Sequence, residues 1–178
     1  MPPSVGMIDG PREAVLIAAQ YLFGDTMNLS TDDIQKIKSL LVQQKGSVEA
    51  YSEAGAEYLL VSESTPVVVG GASDLSRVSR IDSRFDFVLP QEGGFVLIDS
   101  FAIPIGSKKD EFVYKFIDFM YRRDVVIRHQ EKYGMCSPLK KEITSSDESC
   151  NEKQKMNFFR SNITEQTLHD IWVSLMVS

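Results

Sequence analysis

The sequence is poor in the residues that carry most enzymatic chemistry. Its 178 residues include 2 histidines, 2 cysteines and 1 tryptophan. Cys136 and Cys150 match no zinc or redox spacing. They either bridge, in an oxidising compartment, or stand as free thiols. His129 and His169 have no partners at metal-ligand spacing and read as surface or helix residues. No P-loop, G-x-G-x-x-G fingerprint, Ser-His-Asp order or Cys-His signature occurs. Gly70-Gly71-Ala72-Ser73 is too short a signal for a phosphate cradle. The sequence therefore assigns no catalytic residue, no metal and no cofactor, and an enzyme is not expected. No apolar run approaches the ~20 residues of a membrane helix. The first residues, MPPSVGMIDGPRE, lack the basic and apolar regions of a signal peptide. Basic charge is also scarce, with 19 Lys and Arg against 25 Asp and Glu and a net charge of -6. That balance argues against nucleic acid or an anionic membrane as a main partner and mildly favours cationic ligands.

What is present is ordinary globular material, 43% apolar and 25% charged. It suffices for one domain, or for a domain and a fragment of another. Val5 to Ile8 reads as a short strand, and Pro11 opens a helix that Gly24 ends. Ser30 caps a second helix, with Asp32 and Asp33 in its first turn, Ile34, Ile37, Leu40 and Leu41 as its stripe, and Gly46 as its end. Val48 to Ser52 reads as a strand and Glu53 to Ser62 as a short helix. Pro66 opens the strand Val67-Val68-Val69, whose β-branched run predicts burial on both faces, as in a parallel sheet. A helix starts at Ser73 or Asp74 and ends near Ile81. Alternation predicts a strand over Phe85 to Leu89. A turn over Pro90 to Gly94 then leads into a strand over Phe95 to Ile103. Lys108 to Arg122 reads as a helix with Phe112, Phe116, Phe119 and Met120 on one face. Asp124 caps a helix running to Tyr133, which Gly134 ends. Lys140 to Lys155 is a polar connection. Thr164 to Val177 is a terminal helix packing through Leu168, Ile171, Trp172 and Leu175. Strands and helices alternate, so the class is α/β, with a mixed sheet flanked by helices.

The stretch Gln91 to Val126 is the most informative. Asp99 is the one charge in the apolar run FVLIDSFAI. A carboxylate there is costly if buried and unpaired, so it must meet a cation or reach water. This is a first pointer to a cleft for a positively charged guest.

Four strings, VGMIDGPREAV, VVVGGASDLSRV, VLPQEGGFVLIDSFAIP and YKFIDFMYRRDVV, carry a family likeness. The last two are the most specific. On them the chain resembles the second half of an extracytoplasmic solute-binding protein of an ABC transporter, of the spermidine/putrescine-binding kind, over roughly Val5 to Pro138. The resemblance implies a type II periplasmic-binding-protein fold, two α/β lobes closing on a ligand. Residues 5–97 would then form the second lobe. Residues 98–143 would be a segment returning to the first lobe, whose remainder this chain does not contain. Residues 144–178 would go back to the second lobe. Also implied are a small cationic ligand, plausibly spermidine or putrescine, a membrane permease as partner, a monomeric state and a periplasmic or extracytoplasmic location.

Polyamine recognition needs carboxylates at the ammonium positions and aromatic faces along the spacer. By this resemblance Asp99 matches the strand aspartate that holds an amine. Asp74 aligns with an aspartate following a Trp-x-Gly run, and Glu13 with a helix-start glutamate that contacts ligand. Asp9 lies beside the slot of a further aspartate, which Gly10 occupies here, and Met135 stands where a tyrosine follows Gly. Each residue also has a plainer reading. Asp74 and Asp9 can be helix caps, Glu13 a favourable charge at a helix start, Asp99 a solvent-facing strand residue, and Met135 a packing residue. The chain departs from the family in its aromatic walls, with Gly71, Leu97 and Met135 at the corresponding positions. Three lost cation–π contacts amount to on the order of 2–5 kcal/mol. The expected function is a non-catalytic, cation-binding subunit of an ABC importer. The alternative is a truncated or degenerate lobe acting as an interaction module without polyamine binding.

Overall fold

Val5 pairs with two segments much later in the chain to form a small parallel sheet. The computed structural model describes residues 4–52, 56–134, 136, 137, 139 and 156–178. Strand β1 (Val5–Met7) lies between β2 (Val48–Tyr51) and β3 (Val67–Val68), in the order β2-β1-β3. Both pairings are parallel, with Val5 opposite Val48 on one side and Val67 on the other. Parallel neighbours need crossovers. Helices α1 (Pro11–Phe23) and α2 (Thr31–Lys45) connect β1 to β2, and α3 (Ala56–Val61) connects β2 to β3.

Position 6 shows why helices cover both faces. A Cβ on Gly6 would stand 2.8 Å from Leu59 of α3 and 3.1 Å from Val68, so the missing side chain lets α3 approach the sheet. Successive strand residues point to opposite faces. Met7 accordingly meets the other layer, where the Gln44 amide of α2 reaches its sulfur at 3.5 Å.

The main core lies on the Met7 side. Ala14, Val15, Ala18 and Ala19 of α1 pack with Ile37 and Leu41 of α2 and with Leu168, Ile171 and Leu175 of α7 (Glu165–Val177). Small residues on α1 allow close helix approach, and Leu168, Ile37 and Val15 are fully inaccessible to solvent. Trp172 packs edge-on against Tyr51 of β2, with ring centroids 5.2 Å apart. This burial pushes the Tyr51 hydroxyl above its ordinary pKa. The helix starts follow the expected chemistry. Ser30 accepts from the Asp33 N–H, and the Asp33 carboxylate accepts from the Ser30 N–H, a complete capping box. Thr164 caps α7 by accepting from the Thr167 N–H.

The second half is thinner. Helix α4 (Ala72–Ile81) follows β3 and α6 (Arg123–Tyr133) packs on it, with Val78 of α4 and Val125 and Val126 of α6 buried. Arg80 of α4 donates to the Glu131 carbonyl near the end of α6. A two-stranded parallel sheet joins β4 (Gly94–Val96) to β5 (Met156–Phe158). It is anchored to α1 by buried Gln20, which donates to the Glu92 carbonyl at 2.7 Å and accepts from Asn157 at 2.7 Å. Further along, Thr26 donates to the Arg160 carbonyl, and Asn162 donates to the Leu29 carbonyl.

Several expectations are corrected. Phe85 to Leu89 is not a strand. Its side chains alternate between half-buried and exposed, but among the described residues no neighbouring strand supplies a ladder, and alternation without a partner is only extended backbone. The strand expected over Phe95 to Ile103 is limited to β4, because β5 offers partners only to Gly94, Phe95 and Val96. Strand β3 is parallel as read, but it is an edge strand and Val67 is 50% exposed, so it is not buried on both faces. On α5 (Asp110–Met120) the half-buried stripe is Val113, Ile117 and Met120, whereas Phe112, Phe116 and Phe119 face water. Asp124 lies inside α6, paired with Arg122 at 3.1 Å, while Arg122 occupies the cap position. Cys136 is disulfide-bonded, and Cys150 lies outside the described residues.

Candidate functional site

Strands β1 and β3 run side by side in the same direction and each feeds directly into a helix. The Val69 N–H donates to the Gly6 carbonyl at 2.8 Å, so the two chains are still paired as they leave the sheet. The segments after Met7 and after Val69 therefore emerge at one edge, with strands spaced ~4.8 Å apart. In open α/β sheets, this carboxyl edge is where ligands bind.

The two helix starts at that edge are built alike. Gly10 precedes α1 and Gly71 precedes α4, and neither provides a side-chain cap. The third helical residue is acidic in both cases, Glu13 in α1 and Asp74 in α4. Gly10 has φ 134°, a value that L side chains rarely adopt. A Cβ there would fall 2.2 Å from the Glu13 Oε2, so the Glu13 carboxylate is folded back against bare backbone. Arg12 is drawn the other way, into an ion pair with Glu165 at the start of α7. Asp74 has a long contact of 3.6 Å to Arg77, both half-exposed, and such pairs contribute only about 0–1 kcal/mol. Among the described residues Glu13 makes no ion pair. Among the described residues, two carboxylates thus stand at neighbouring helix starts, Glu13 without an ion pair and Asp74 with a long contact to Arg77, an arrangement suited to an amine guest.

A third segment reaches the same place. A Cβ on Gly134, at the end of α6, would meet the Ser76 hydroxyl at 2.9 Å and the Ser73 carbonyl at 3.2 Å. The end of α6 thus lies against the start of α4. The approach of Gly134 to Ser73 joins residues 61 positions apart in sequence and has no local signal. Met135, the next residue, lies outside the described residues. Asp9 is exposed on the connection between β1 and Gly10. Asp99 is exposed as well, flanked by Leu97 and Ile98 at 67% and 69% exposure. Of the two ways of relieving its carboxylate, water is the one found. Among the described residues no contact ties Asp99 to Asp74 or Glu13.

A separate hollow of about 180 Å³ opens at the opposite end of α1, lined by Asp25, Thr26, Met27, Asn157, Phe158 and Arg160. Asp25 is held below the usual carboxylate range, first by the Met27 N–H and then by the Asn28 amide. Its charge is thus satisfied locally. Among the described residues no cluster of His, Cys, Asp or Glu could hold a metal ion.

The fold is that of part of a type II solute-binding protein. It superimposes on the spermidine/putrescine ABC transporter substrate-binding protein PotD from Streptococcus pneumoniae with a TM-score of 0.73 and 16% identity, covering 98% of this chain and 58% of that one. The sequence is similar to the spermidine/putrescine-binding periplasmic protein of Escherichia coli, 39% identical over 137 residues, which is 76% of this chain and 39% of that protein. It is also 25% identical to the putrescine-binding periplasmic protein PotF of E. coli over 129 residues, 68% of this chain and 35% of PotF. No protein-family model matches the chain. The chain spans between 35% and 39% of the length of the two E. coli proteins that it is similar to.

Proposed function

We propose that this chain is the second-lobe part of a solute-binding subunit of an ABC importer and that it binds a small cation without catalysis, a polyamine being the leading class. The observation that carries this reading is the pair of matched helix starts, which set Glu13 and Asp74 at the carboxyl edge of adjacent parallel strands. Ammonium groups donating to two such carboxylates form charge-assisted hydrogen bonds, each contributing about 1.5–3 kcal/mol. Asp9 belongs to the same edge in this reading and Asp99 supplies a further carboxylate, while Met135, outside the described residues, is a candidate by resemblance alone. The packing of α7 between α1 and α2 supports a division in which the C-terminal residues return to the second lobe. The relatives' printed names support the ligand class and an extracytoplasmic location, and the ABC transporter named for the solved PotD structure supports a transporter as partner. A disulfide at Cys136 fits such a location.

Calorimetric titration of putrescine and spermidine into the chain tests the reading. Saturable heat that weakens about tenfold or more in Glu13→Gln and in Asp74→Asn is the expected result. Absence of heat above buffer dilution at millimolar ligand, or equal binding by both variants, overturns it.

A further inference from the structure

Asp9-Gly10 is the one Asp-Gly pair of the sequence, which contains no Asn-Gly pair. It lies between β1 and α1, outside any strand or helix, and Asp9 is exposed. An aspartate before glycine is open to attack by the backbone on its own side chain, because glycine sets no Cβ beside the attacking nitrogen. Among the described residues, neither the Asp9 carboxylate nor the Gly10 N–H takes part in a hydrogen bond or ion pair. Other aspartates are tied down. Asp25 accepts from the Met27 N–H, Asp33 from the Ser30 N–H, Asp82 from Arg84 and Asp124 from Arg122. The Glu13 carboxylate, folded against Gly10, adds a proton acceptor beside that backbone.

We propose that Asp9 is a site of spontaneous isoaspartate formation and that this conversion ages the ligand site by displacing Glu13. The Gly10 nitrogen attacks the Asp9 Cγ and a C–N bond forms. One carboxylate oxygen leaves as water, carrying the amide proton and a proton from solvent, and a succinimide closes. Water then adds to either ring carbonyl, one C–N bond breaks and the solvent proton is returned. Cleavage at the side-chain carbonyl restores aspartate. Cleavage at the main-chain carbonyl routes the backbone through Cβ and Cγ and leaves the α-carboxylate as a side group. No electron is gained or lost, and only water and a proton enter. The link from Met7 to Pro11 thereby gains one main-chain atom. The Gly10 carbonyl accepts from the Ala14 N–H at 3.1 Å, and Ala14 and Val15 are fixed in the core, so a longer link must shift the first turn that carries Glu13. The displacement of Glu13 matters for ligand only on the cation-binding reading above; the chemistry at Asp9 is independent of it.

The test ages the purified chain in warm neutral buffer. L-isoaspartyl carboxyl methyltransferase with labelled S-adenosylmethionine counts the isoaspartate, and electron-transfer fragmentation of the peptide spanning Asp9 locates it. The free peptide VGMIDGPREAV gives the rate without a fold. Asp99-Ser100 is the internal comparison, equally exposed but with a Cβ on the residue that attacks. Isoaspartate at Asp9 should form within about tenfold of the peptide's rate and at least about tenfold faster than at Asp99. No isoaspartate at Asp9 once the peptide has half converted, or an equal yield at Asp99, overturns the proposal. Asp9→Glu, which would have to close a larger ring, should lose the label from this peptide. Putrescine titration before and after ageing reads the consequence. Heat from the aged chain should fall in proportion to its isoaspartate fraction, whereas aged Asp9→Glu should bind as its own fresh form does. Undiminished heat from a fully aged chain overturns the displacement of Glu13. A fresh chain without heat sinks the cation reading and leaves the isoaspartate count standing.

Discussion

Helices α1 and α5 are both amphipathic segments with an apolar face, yet one is the centre of the core and the other stands almost bare. On α1, Ala14, Val15, Leu16, Ala18, Ala19 and Gln20 are buried. On α5, no residue is buried, although three phenylalanines share its outer stripe. Fully burying one phenylalanine contributes about 1.5–3 kcal/mol. The chain therefore leaves unused, on one helix face, a stabilisation comparable to a sizeable share of the 5–15 kcal/mol typical of a whole domain. An apolar stripe shows that a face needs cover; what covers it is a property of the surrounding polypeptide.

Substitutions can break or sharpen this contrast. The largest effect is expected from Leu168→Ala, which empties a fully buried position between α1, α2 and α7. It should cost about 2–5 kcal/mol, read as a fall in the urea midpoint at unchanged slope. Gly10→Ala should come next, at about 1–3 kcal/mol, because φ 134° and the Glu13 carboxylate both oppose a side chain there. The same change should displace Glu13 and weaken ligand binding. Removing the α2 cap with Ser30→Ala should cost about 1 kcal/mol in thermal melts.

A smaller effect is expected from acid. Asp33 is held below its ordinary pKa of 3.8, first by the Ser30 hydroxyl and then by the Ser30 N–H. Asp82 is lowered chiefly by Arg84 and Asp124 chiefly by Arg122. A carboxylate with a depressed folded-state pKa stabilises the fold above its unfolded value, and that stability is lost as pH falls through the folded one. Melting temperature should therefore be flat near neutrality and decline below about pH 4. Asp33→Asn should flatten that decline. The smallest effect belongs to α5: Phe116→Ala should change stability by less than about 0.5 kcal/mol. A loss above 1 kcal/mol would mean that α5 is already covered and would erase the contrast with α1.

Much of the first half was legible because its signals are local. Gly10-Pro11 and Gly24 bound α1, Ser30 and Asp33 start α2, and both helices end at the expected glycines. The strands paired in the sheet were found because β-branched residues and crossover spacing agree. Legibility failed where a partner had to be supplied. Phe85 to Leu89 and Leu97 to Ile103 have strand-like composition, but no described strand lies beside them, so no ladder forms. The acids Glu13 and Asp74 were picked out by the family resemblance. Their gathering at one edge, and the approach of Gly134 to Ser73, depend on strand order and helix packing that no local string encodes. Asp99 was the strongest candidate on the page of the sequence, and it is the one whose surroundings the described residues leave most open.

Four matched strings carry the likeness to polyamine-binding proteins. Residue types and spacing alone determined the α/β class, the ends of the main helices and the acidic balance. These follow from backbone propensity, capping and composition, which act within a few residues. Only the tertiary structure decided which apolar stripes become core, that β3 is an edge strand, and that the helices carrying Glu13 and Asp74 start from one edge of a parallel sheet. Burial and proximity are set by segments distant in the chain, and a stripe remains only a demand until another surface meets it.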